Sequence, residues 1–293
     1  MAYQTINGVR VWGNPDEGAL AQAKTCAEYG NVVQALLMAD HHKGYSQPIG
    51  GVVAYDGQIS PSGVGYDIGC GNKAVRTNLM ASDMKPRLSA IMDQIARKVS
   101  FGIGRANSEK VDHELFDDPD WSVYAAVGRQ EHDKLKALAR DQLGTVGSGN
   151  HYVDLFEEIG TGRLWIGNHF GSRGFGHKTA SGFLNLAAGR EFLGKAPGES
   201  MDQPPVLLDL NSELGDMYYR AMKLAGRYAY AGRDYVIKQL LSILGAEADF
   251  EVHNHHNYAW RETHEGKDVI VVRKGATPSA PGQLGFIGGS MGD

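Results

Sequence analysis

The sequence predicts a mixed α and β (α+β) fold with central sheets and outer helices. Strand-like runs rich in β-branched and aromatic residues alternate with longer runs of helical periodicity. The 39 glycines cluster at the ends of the strand-like runs, many beside Asp, Cys, Asn or His. A chain of 293 residues with 42% hydrophobic residues can bury a sizeable core. Because no repeat or low-complexity linker interrupts it, we expect a single domain over residues 1–293.

The first elements follow from capping and periodicity. The stretch "NPDE" at residues 14–17 combines a capping residue, a first-turn proline and two acids ahead of a helical run that contains Cys26. The run "NVVQALLMAD" predicts a buried strand, and "YDGQ" predicts a hairpin turn. Residues 85–100 and 130–142 have helical patterns whose Lys and Arg residues indicate solvated faces.

The second half predicts strands that begin or end at histidines. The runs "NHYVDLF" and "RLWIGNHF" are strand-like, and residues 213–244 predict a long scaffold helix. The stretch "EVHNHHNYAW" predicts one arm of a hairpin with "VIVV". Alternation along that arm places His253 and His255 on one face and His256 on the other.

Composition limits the function classes. A formal net charge of −5 and a pI near 6.1 exclude a globally basic nucleic-acid binder but leave a local basic channel open. The N-terminus lacks a signal pattern and no run approaches 18 apolar residues, so we expect a cytoplasmic protein without a membrane partner. In a reducing compartment Cys26 and Cys70 do not pair, and Cys26 is interpreted as a packed side chain.

Several metal-ligand residue types lie in glycine-rich turns. The stretch "GVGYDIGCGN" places a carboxylate and a thiol three residues apart, although a tight turn around a buried cysteine explains that pair equally well. The whole set contains one carboxylate, one thiol and three imidazoles, from Asp67, Cys70, His151, His169 and one of His253, His255 and His256. Such a set suits one or two divalent ions and leaves Mn²⁺, Zn²⁺ and Fe²⁺ open.

Two further features indicate phosphate chemistry. The glycine-rich stretch "GTVGSGN" can direct backbone N–H groups at a phosphate, but it lacks the lysine of a Walker motif. Arg173 in "GSRG" carries a planar guanidinium that suits a phosphate. Arg173 is therefore a candidate phosphate contact.

Ordered motifs indicate a family. The stretches "GYDIGCGNKAVRT", "GTVGSGNHYVDL", "HFGSRG", "HHNY" and "RKGATPSAPGQLGFIGGSMG" resemble, in this order, motifs of the RtcB family of RNA-splicing ligases. Asp40 and His42 in "MADHHKG" resemble the early Asp/His motif of that family. The resemblance runs from about residue 30 to residue 293.

The resemblance implies a cofactor set. In that family two Mn²⁺ ions are held by Asp, Cys and three His, with a bridging thiolate, which implies the metal ligands Asp67, Cys70, His151, His169 and His256. It also implies GTP contacts from Asn150, His151, Tyr152, Val153, Asp154, His256, Asn257, Gly288, Gly289, Ser290 and Met291. Asp154 stands where the family commonly has Glu, and Gly288 replaces the usual Pro, so both departures could loosen nucleotide positioning.

The function implied is GTP- and Mn²⁺-dependent joining of RNA ends. Family members join a 2′,3′-cyclic phosphate or 3′-phosphate to a 5′-hydroxyl through GMP activation, in tRNA splicing or RNA repair. They carry a guanylylated histidine in an "HGAGR" motif, which residues 1–293 do not contain, so we expect that this chain lacks the nucleophile and does not ligate alone. No motif identifies an activating protein.

Two alternatives stay open. A metal-dependent phosphodiesterase that only opens cyclic phosphates would need the ions but no guanylylated histidine. A non-catalytic fragment would bind metal, GTP or RNA ends without turnover.

Overall fold

A computed structural model describes residues 2–107, 110–195 and 200–288. The strands and α-helices in chain order are β1 (Gln4–Ile6), β2 (Val9–Val11), α1 (Glu17–Glu28), β3 (Val32–His42), β4 (Ile49–Tyr55), β5 (Gln58–Ile59), α2 (Pro61–Val64), β6 (Gly71–Met80), α3 (Ala81–Met84), α4 (Leu88–Lys98), α5 (Ser122–Val127), α6 (Arg129–Gln142), β7 (Tyr152–Glu157), β8 (Arg163–His169), α7 (Arg173–Ala187), β9 (Leu208–Asp209), α8 (Glu213–Leu244), β10 (Ala248–His255), β11 (Tyr258–His264) and β12 (Lys267–Lys274). The predicted mixed α and β class is confirmed.

Most strands belong to two sheets. The six-stranded sheet has the order β1-β2-β3-β4-β12-β11, and its only parallel pair is β2 with β3. The four-stranded sheet has the order β10-β6-β8-β7 and is antiparallel throughout. The short strands β5 and β9 pair with each other.

Helix α8 packs against both sheets. Its first part contributes to a core cluster shared with α7 and the six-stranded sheet, which includes Tyr55, Phe175, Phe183, Tyr218, Met222, Tyr228 and Val272. Its last part contributes to a second cluster shared with α4 and the four-stranded sheet, which includes Val75, Ile91, Ile95, Ile166, Val236, Ile237 and Leu240. The predicted scaffold helix therefore forms one wall of two cores.

Local chemistry explains the ends of this helix. The Ser212 side chain accepts a hydrogen bond from the Gly215 amide at the start, and Gly245 adopts a left-handed conformation with φ of 66° at the end. The prediction of residues 213–244 is confirmed. At α1 the capping residue is Asp16, whose side chain accepts from the Ala19 amide, so the helix begins later than the Asn14 of "NPDE".

The predicted hairpin at "YDGQ" is wrong. The chain turns at Gly57, which has φ of 66°, but β5 pairs with β9 and not with β4. Strand β4 already has β3 on one side and β12 on the other. Because both edges of β4 already pair with other strands, β4 has no free backbone edge with which β5 could pair.

The stretch "EVHNHHNYAW" is divided between two sheets, so the prediction of a single hairpin arm is wrong. Strand β10 pairs with β6 and ends at His255, whereas β11 begins at Tyr258 and forms the hairpin with β12. The face alternation within β10 is confirmed, because His253 and His255 both face α8 and contact Arg233.

The two sheets meet where the chain leaves β10. The Gly69 amide donates to the Asn257 carbonyl at 2.8 Å, and the His256 amide donates to the Cys70 carbonyl at 2.8 Å. The Ala276 amide donates to the His256 carbonyl at 3.2 Å and ties the segment after β12 to the same point. We call residues 69–71 with 254–257 the sheet junction.

Within the described ranges, no helix has the combined length and apolar character needed to cross a membrane.

Substitution of Gly71 by Ala is expected to weaken the sheet junction. A Cβ atom on Gly71 would overlap the Asn254 carbonyl oxygen and lie 2.8 Å from the His255 Cα, both of which are backbone atoms. Overpacking of this kind costs about 1–3 kcal/mol. Urea unfolding measures the loss, and Gly285→Ala is the control because its Cβ would meet nothing within 4 Å. Equal unfolding midpoints for both variants would contradict the prediction.

Candidate functional site

The turn that carries Asp67 and Cys70 is a tight, glycine-rich loop. Gly65 and Gly69 adopt positive φ angles of 86° and 71°, which side chains other than glycine rarely tolerate. The Cys70 amide donates to the Asp67 carbonyl at 3.1 Å and closes the turn. Asp67 and Cys70 therefore point into the same space, although only three residues separate them.

The other four predicted ligand residues, Asp67, His151, His169 and His256, lie around the Cys70 thiol. Its Sγ atom lies 3.2 Å from His169 Nε2 and 3.8 Å from His151 Nε2. The His151 Nε2 atom in turn lies 2.9 Å from an Asp67 carboxylate oxygen. The residues form two groups, Cys70 with His169 and His256, and Asp67 with Cys70 and His151; the ligand atoms within each group all lie within 4.8 Å of one another.

The four-stranded sheet explains this convergence. His169 ends β8, Gly71 begins β6, His255 ends β10 and Tyr152 begins β7. Since these neighbouring strands run antiparallel, their ends meet at one edge of the sheet. Cys70, His151 and His256 are the residues just outside β6, β7 and β10, so they reach that edge together with His169.

Burial sets the protonation of the imidazoles. It lowers the pKa of His169 to about 3 and that of His256 to about 4, against the Asp67 charge, which raises both pKa values, and with the Arg233 charge, which lowers both. Both rings are neutral at pH 7 and can offer a nitrogen lone pair. Neutral imidazole is the form that binds divalent ions.

The two acidic groups respond differently to the same environment. Burial, reinforced by the Asp67 charge, raises the pKa of the Cys70 thiol. Burial also opposes ionisation of Asp67, but the hydrogen bond and charge of His151 outweigh it and lower the pKa of that carboxyl. Without an ion the site therefore holds a carboxylate and a protonated thiol.

Arg173 lies against the glycine-rich loop. It begins α7 with a positive φ of 56°, and a Cβ on Gly147 would overlap its guanidinium. Its Nη1 atom lies 3.0 Å from His151 Nδ1, which is also 2.8 Å from the Val146 carbonyl oxygen. When His151 presents Nε2 to an ion, its Nδ1–H donates to Val146 and cannot accept from Arg173. The Arg173 Nη1 group then has no acceptor in His151.

The segment near residue 286 packs against the predicted nucleotide-binding strands. The Asn72 amide donates to the Phe286 carbonyl at 3.1 Å, and its oxygen accepts from the Tyr152 hydroxyl at 3.3 Å. A Cβ on Gly288 would lie 2.7 Å from that hydroxyl. Asn72, Tyr152 and His169 are register neighbours on three adjacent strands, so they share the face that this segment covers.

The remaining predicted nucleotide contacts are not equivalent. Asn150 and Asp154 are exposed, and partial desolvation raises the pKa of Asp154. The Val153 side chain packs on the second core, so only its backbone is available at the strand. Asn257 donates to the Asp67 carbonyl at 3.4 Å and accepts from the Gly275 amide at 2.7 Å. Gly289, Ser290 and Met291 lie outside the described residues.

Sequence reasoning missed two residues beside the site. Asn72 has no predicted role beyond its place in a motif, although it links Tyr152 to the Phe286 carbonyl. Arg233 lies in the predicted scaffold helix, although it is fully buried and contacts His253, His255 and the carbonyls of Gly69 and Phe170, next to candidate ligands. Asn72 belongs to the motif "GYDIGCGNKAVRT" but is not one of its metal-ligand residue types, whereas Arg233 belongs to no short motif and its contacts are distant in sequence. Asp40 and His42 are exposed at the end of β3.

The fold and the site together define the class, an α+β protein with a built candidate centre for one or two divalent ions. A family model described as tRNA-splicing ligase RtcB matches residues 22–293. The chain belongs to the RtcB family.

Curated relatives bear the same description. The tRNA-splicing ligase RtcB of Thermococcus kodakarensis is 33% identical over 93% of this chain and 71% of its own length. Those of Methanococcus maripaludis and Pyrobaculum aerophilum are 33% and 31% identical over 83% and 88% of this chain. The chain spans 61% and 67% of the lengths of these two relatives.

Proposed function

We propose that this chain provides the metal- and nucleotide-binding part of a GTP-dependent RNA ligase. The reaction joins a 2′,3′-cyclic phosphate or 3′-phosphate RNA end to a 5′-hydroxyl end through GMP activation, in tRNA splicing or RNA repair. The observation that carries the proposal is the Cys70 thiol, which belongs to both ligand groups. Family membership supports the ligase class.

The proposed metal centre holds two Mn²⁺ ions. Cys70, His169 and His256 would hold one ion, and Asp67, Cys70 and His151 would hold the other, with Cys70 common to both groups. Mixed carboxylate, imidazole and thiolate ligands suit first-row divalent ions. When bound, such a pair supplies Lewis-acid polarisation and charge neutralisation at phosphoryl oxygens.

The protein side chains then orient the reacting ends. Val146 holds His151 in the tautomer that presents Nε2, and Arg173 contributes a guanidinium for a phosphate oxygen next to it. The guanylate contacts in this proposal come from Asn150, His151, Tyr152, Val153, Asp154, His256, Asn257, Gly288, Gly289, Ser290 and Met291. The packing of Gly288 against Tyr152 supports a shared nucleotide surface for the first and last of these segments.

The second candidate is a metal-dependent cyclic phosphodiesterase. The observation that favours it is the complete ligand set. Hydrolysis of a cyclic phosphate needs an activated water and charge neutralisation, but no covalent guanylate. A non-catalytic fragment that binds metal, GTP or RNA ends is the third reading.

Replacement of Cys70 by Ala is expected to abolish binding of both Mn²⁺ ions. Loss of an outer-sphere partner alone costs about 10–100-fold in affinity, so loss of a bridging ligand costs more. Isothermal titration with Mn²⁺ measures the change. Cys26→Ala is the matched control, because Cys26 is equally buried but its thiol contacts the Ser46 carbonyl. Equal losses in both variants, or no loss in either, would show that Cys70 is not a ligand.

His256→Ala is expected to lower Mn²⁺ affinity at least about tenfold more than His253→Ala. His256 lies with Cys70 and His169, whereas His253 faces α8 and contacts the Arg233 guanidinium at 2.9 Å. Titration of the two variants under one buffer condition decides between the faces. A larger loss of Mn²⁺ affinity in His253→Ala than in His256→Ala would show that the metal lies on the side of β10 that carries His253.

The 293-residue chain is expected to bind Mn²⁺ yet form no covalent adduct with α-labelled GTP. A phosphoramidate to GMP needs a histidine nitrogen against the α-phosphate with pyrophosphate leaving, and a metal cannot replace that acceptor. An added C-terminal segment with "HGAGR", in cis or in trans, should restore the adduct and end joining, and the same segment with its histidine changed to Ala should not.

The outcomes separate the three functions. Formation of a GMP adduct on the 293-residue chain would show that this chain does contain the nucleophilic histidine. Opening of 2′,3′-cyclic phosphates with Mn²⁺ and no GTP, without joining after the segment is added, would favour the phosphodiesterase. Metal binding with neither reaction would favour the non-catalytic fragment.

A further inference from the structure

Arg233 is a fully buried arginine in the middle of α8. Its Nε–H donates to His253 Nε2 at 2.9 Å, and its Nη2 atom lies 3.0 Å from His255 Nδ1. Its Nη1 group donates to two backbone carbonyls, Gly69 at 2.8 Å and Phe170 at 2.6 Å. All three nitrogens of the guanidinium therefore lie within 3.0 Å of a polar atom, and His255 Nδ1 also lies 2.9 Å from the Gly69 carbonyl oxygen.

The two carbonyls are adjacent to proposed metal ligands on different strands. Gly69 directly precedes Cys70, and Phe170 directly follows His169. One nitrogen atom of Arg233 thus connects the loop before β6 with the end of β8. The side chains of these two ligand residues lie 3.2 Å apart from Sγ to Nε2. A rigid planar donor that holds both backbones fixes the separation of the ligands.

Packing against α8 restricts the same loop. A Cβ on Gly69 would lie 3.1 Å from the Ala229 Cβ and 3.2 Å from the Gly226 Cα. Gly226, Ala229 and Arg233 are three and four residues apart, so they form one stripe on the helix. The loop rests on the small residues of this stripe, and Arg233 binds its carbonyl one turn further along.

A buried charge at this position is costly. None of the four groups that the guanidinium nitrogens contact is a carboxylate. Burial lowers the pKa of Arg233 to about 10, which still leaves it protonated at pH 7. A side chain needed only to fill the space would be cheaper as an apolar residue of similar volume. The geometry of its donors is what an apolar residue cannot replace.

We propose that Arg233 is a positioning residue of the metal centre, which holds the backbones of the Cys70 loop and the His169 strand at the spacing that ion binding requires. This inference rests on the metal binding of the proposed function. It assigns to the α8 helix a role in ligand geometry in addition to its role in the two cores.

The test measures the metal centre separately from stability. Co²⁺ is titrated into wild type, Arg233→Lys and Arg233→Gln, and both the dissociation constant and the thiolate-to-metal absorption band are recorded. Loss of an outer-sphere partner costs about 10–100-fold in metal affinity, and this range is expected for both variants together with a changed band. Lysine keeps the charge, but its compact ammonium cannot reach both carbonyls and both imidazoles, so it should not rescue.

Arg227→Gln is the matched control on the same helix. Arg227 donates to Asp118 and Asp120, away from the ligand loops. Its loss is expected to lower the free energy of unfolding, measured in urea, while the Co²⁺ affinity and the band stay as in wild type. Wild-type affinity and band in both Arg233 variants would overturn the inference and leave Arg233 with a structural role.

A variant on the strand side covers the case in which the Arg233 variants do not fold. His253→Asn shortens the acceptor opposite Nε of Arg233 without touching a proposed ligand, and a several-fold loss of Co²⁺ affinity is expected. Unchanged affinity in that variant contradicts the inference. If wild type itself binds no Co²⁺ or Mn²⁺, the proposed metal centre fails, and the inference fails with it. Wild-type binding with no effect of Arg233 overturns the inference alone.

Discussion

The structure depends on the close approach of two backbone segments at the sheet junction. The Cys70 carbonyl accepts from the amides of both His256 and Asn257, at 2.8 and 3.3 Å. This contact ends β10 in one sheet and directs the chain into β11 of the other. It also places Cys70 and His256 side by side without any side-chain contact being required. Ligand convergence is therefore a property of the backbone, and Gly71 is needed because a Cβ there would occupy the space of the Asn254 carbonyl.

Helix α8 gives this junction its rigidity. Its first part belongs to the core of the six-stranded sheet and its last part to the core of the four-stranded sheet. Gly226 and Ala229, within the first part, and Arg233, between the two parts, face the Cys70 loop. A shift of the loop would thus disturb two packed cores, which are dense and deform poorly. The ligand loop gains order from packing that lies outside the site.

Local signals predicted the long elements, and contacts between distant residues decided the rest. The apolar repeats of residues 213–244 predicted α8, and the alternation in β10 gave the shared face of His253 and His255. The division of the histidine-rich strand between two sheets depends on hydrogen bonds to Cys70, about 185 residues away, which no periodicity encodes.

The candidate ligands were found by motif, whereas their supports were not. The resemblance to a known family supplied the ligand set, and the structure brings those five residues together. Arg233 donates to two backbone carbonyls, so no residue type at position 69 or 170 signals the contact.

The position of Arg233 also explains how a cation can support a site for cations. The carbonyl oxygens of Gly69 and Phe170 lie beside the guanidinium, and their partial negative charges partly offset its positive charge. Repulsion of a bound ion is thereby reduced while the ligand spacing is kept. Arg233 acts on the site through backbone geometry. The burial of its charge is unfavourable, and it accompanies a donor that contacts two strands at once.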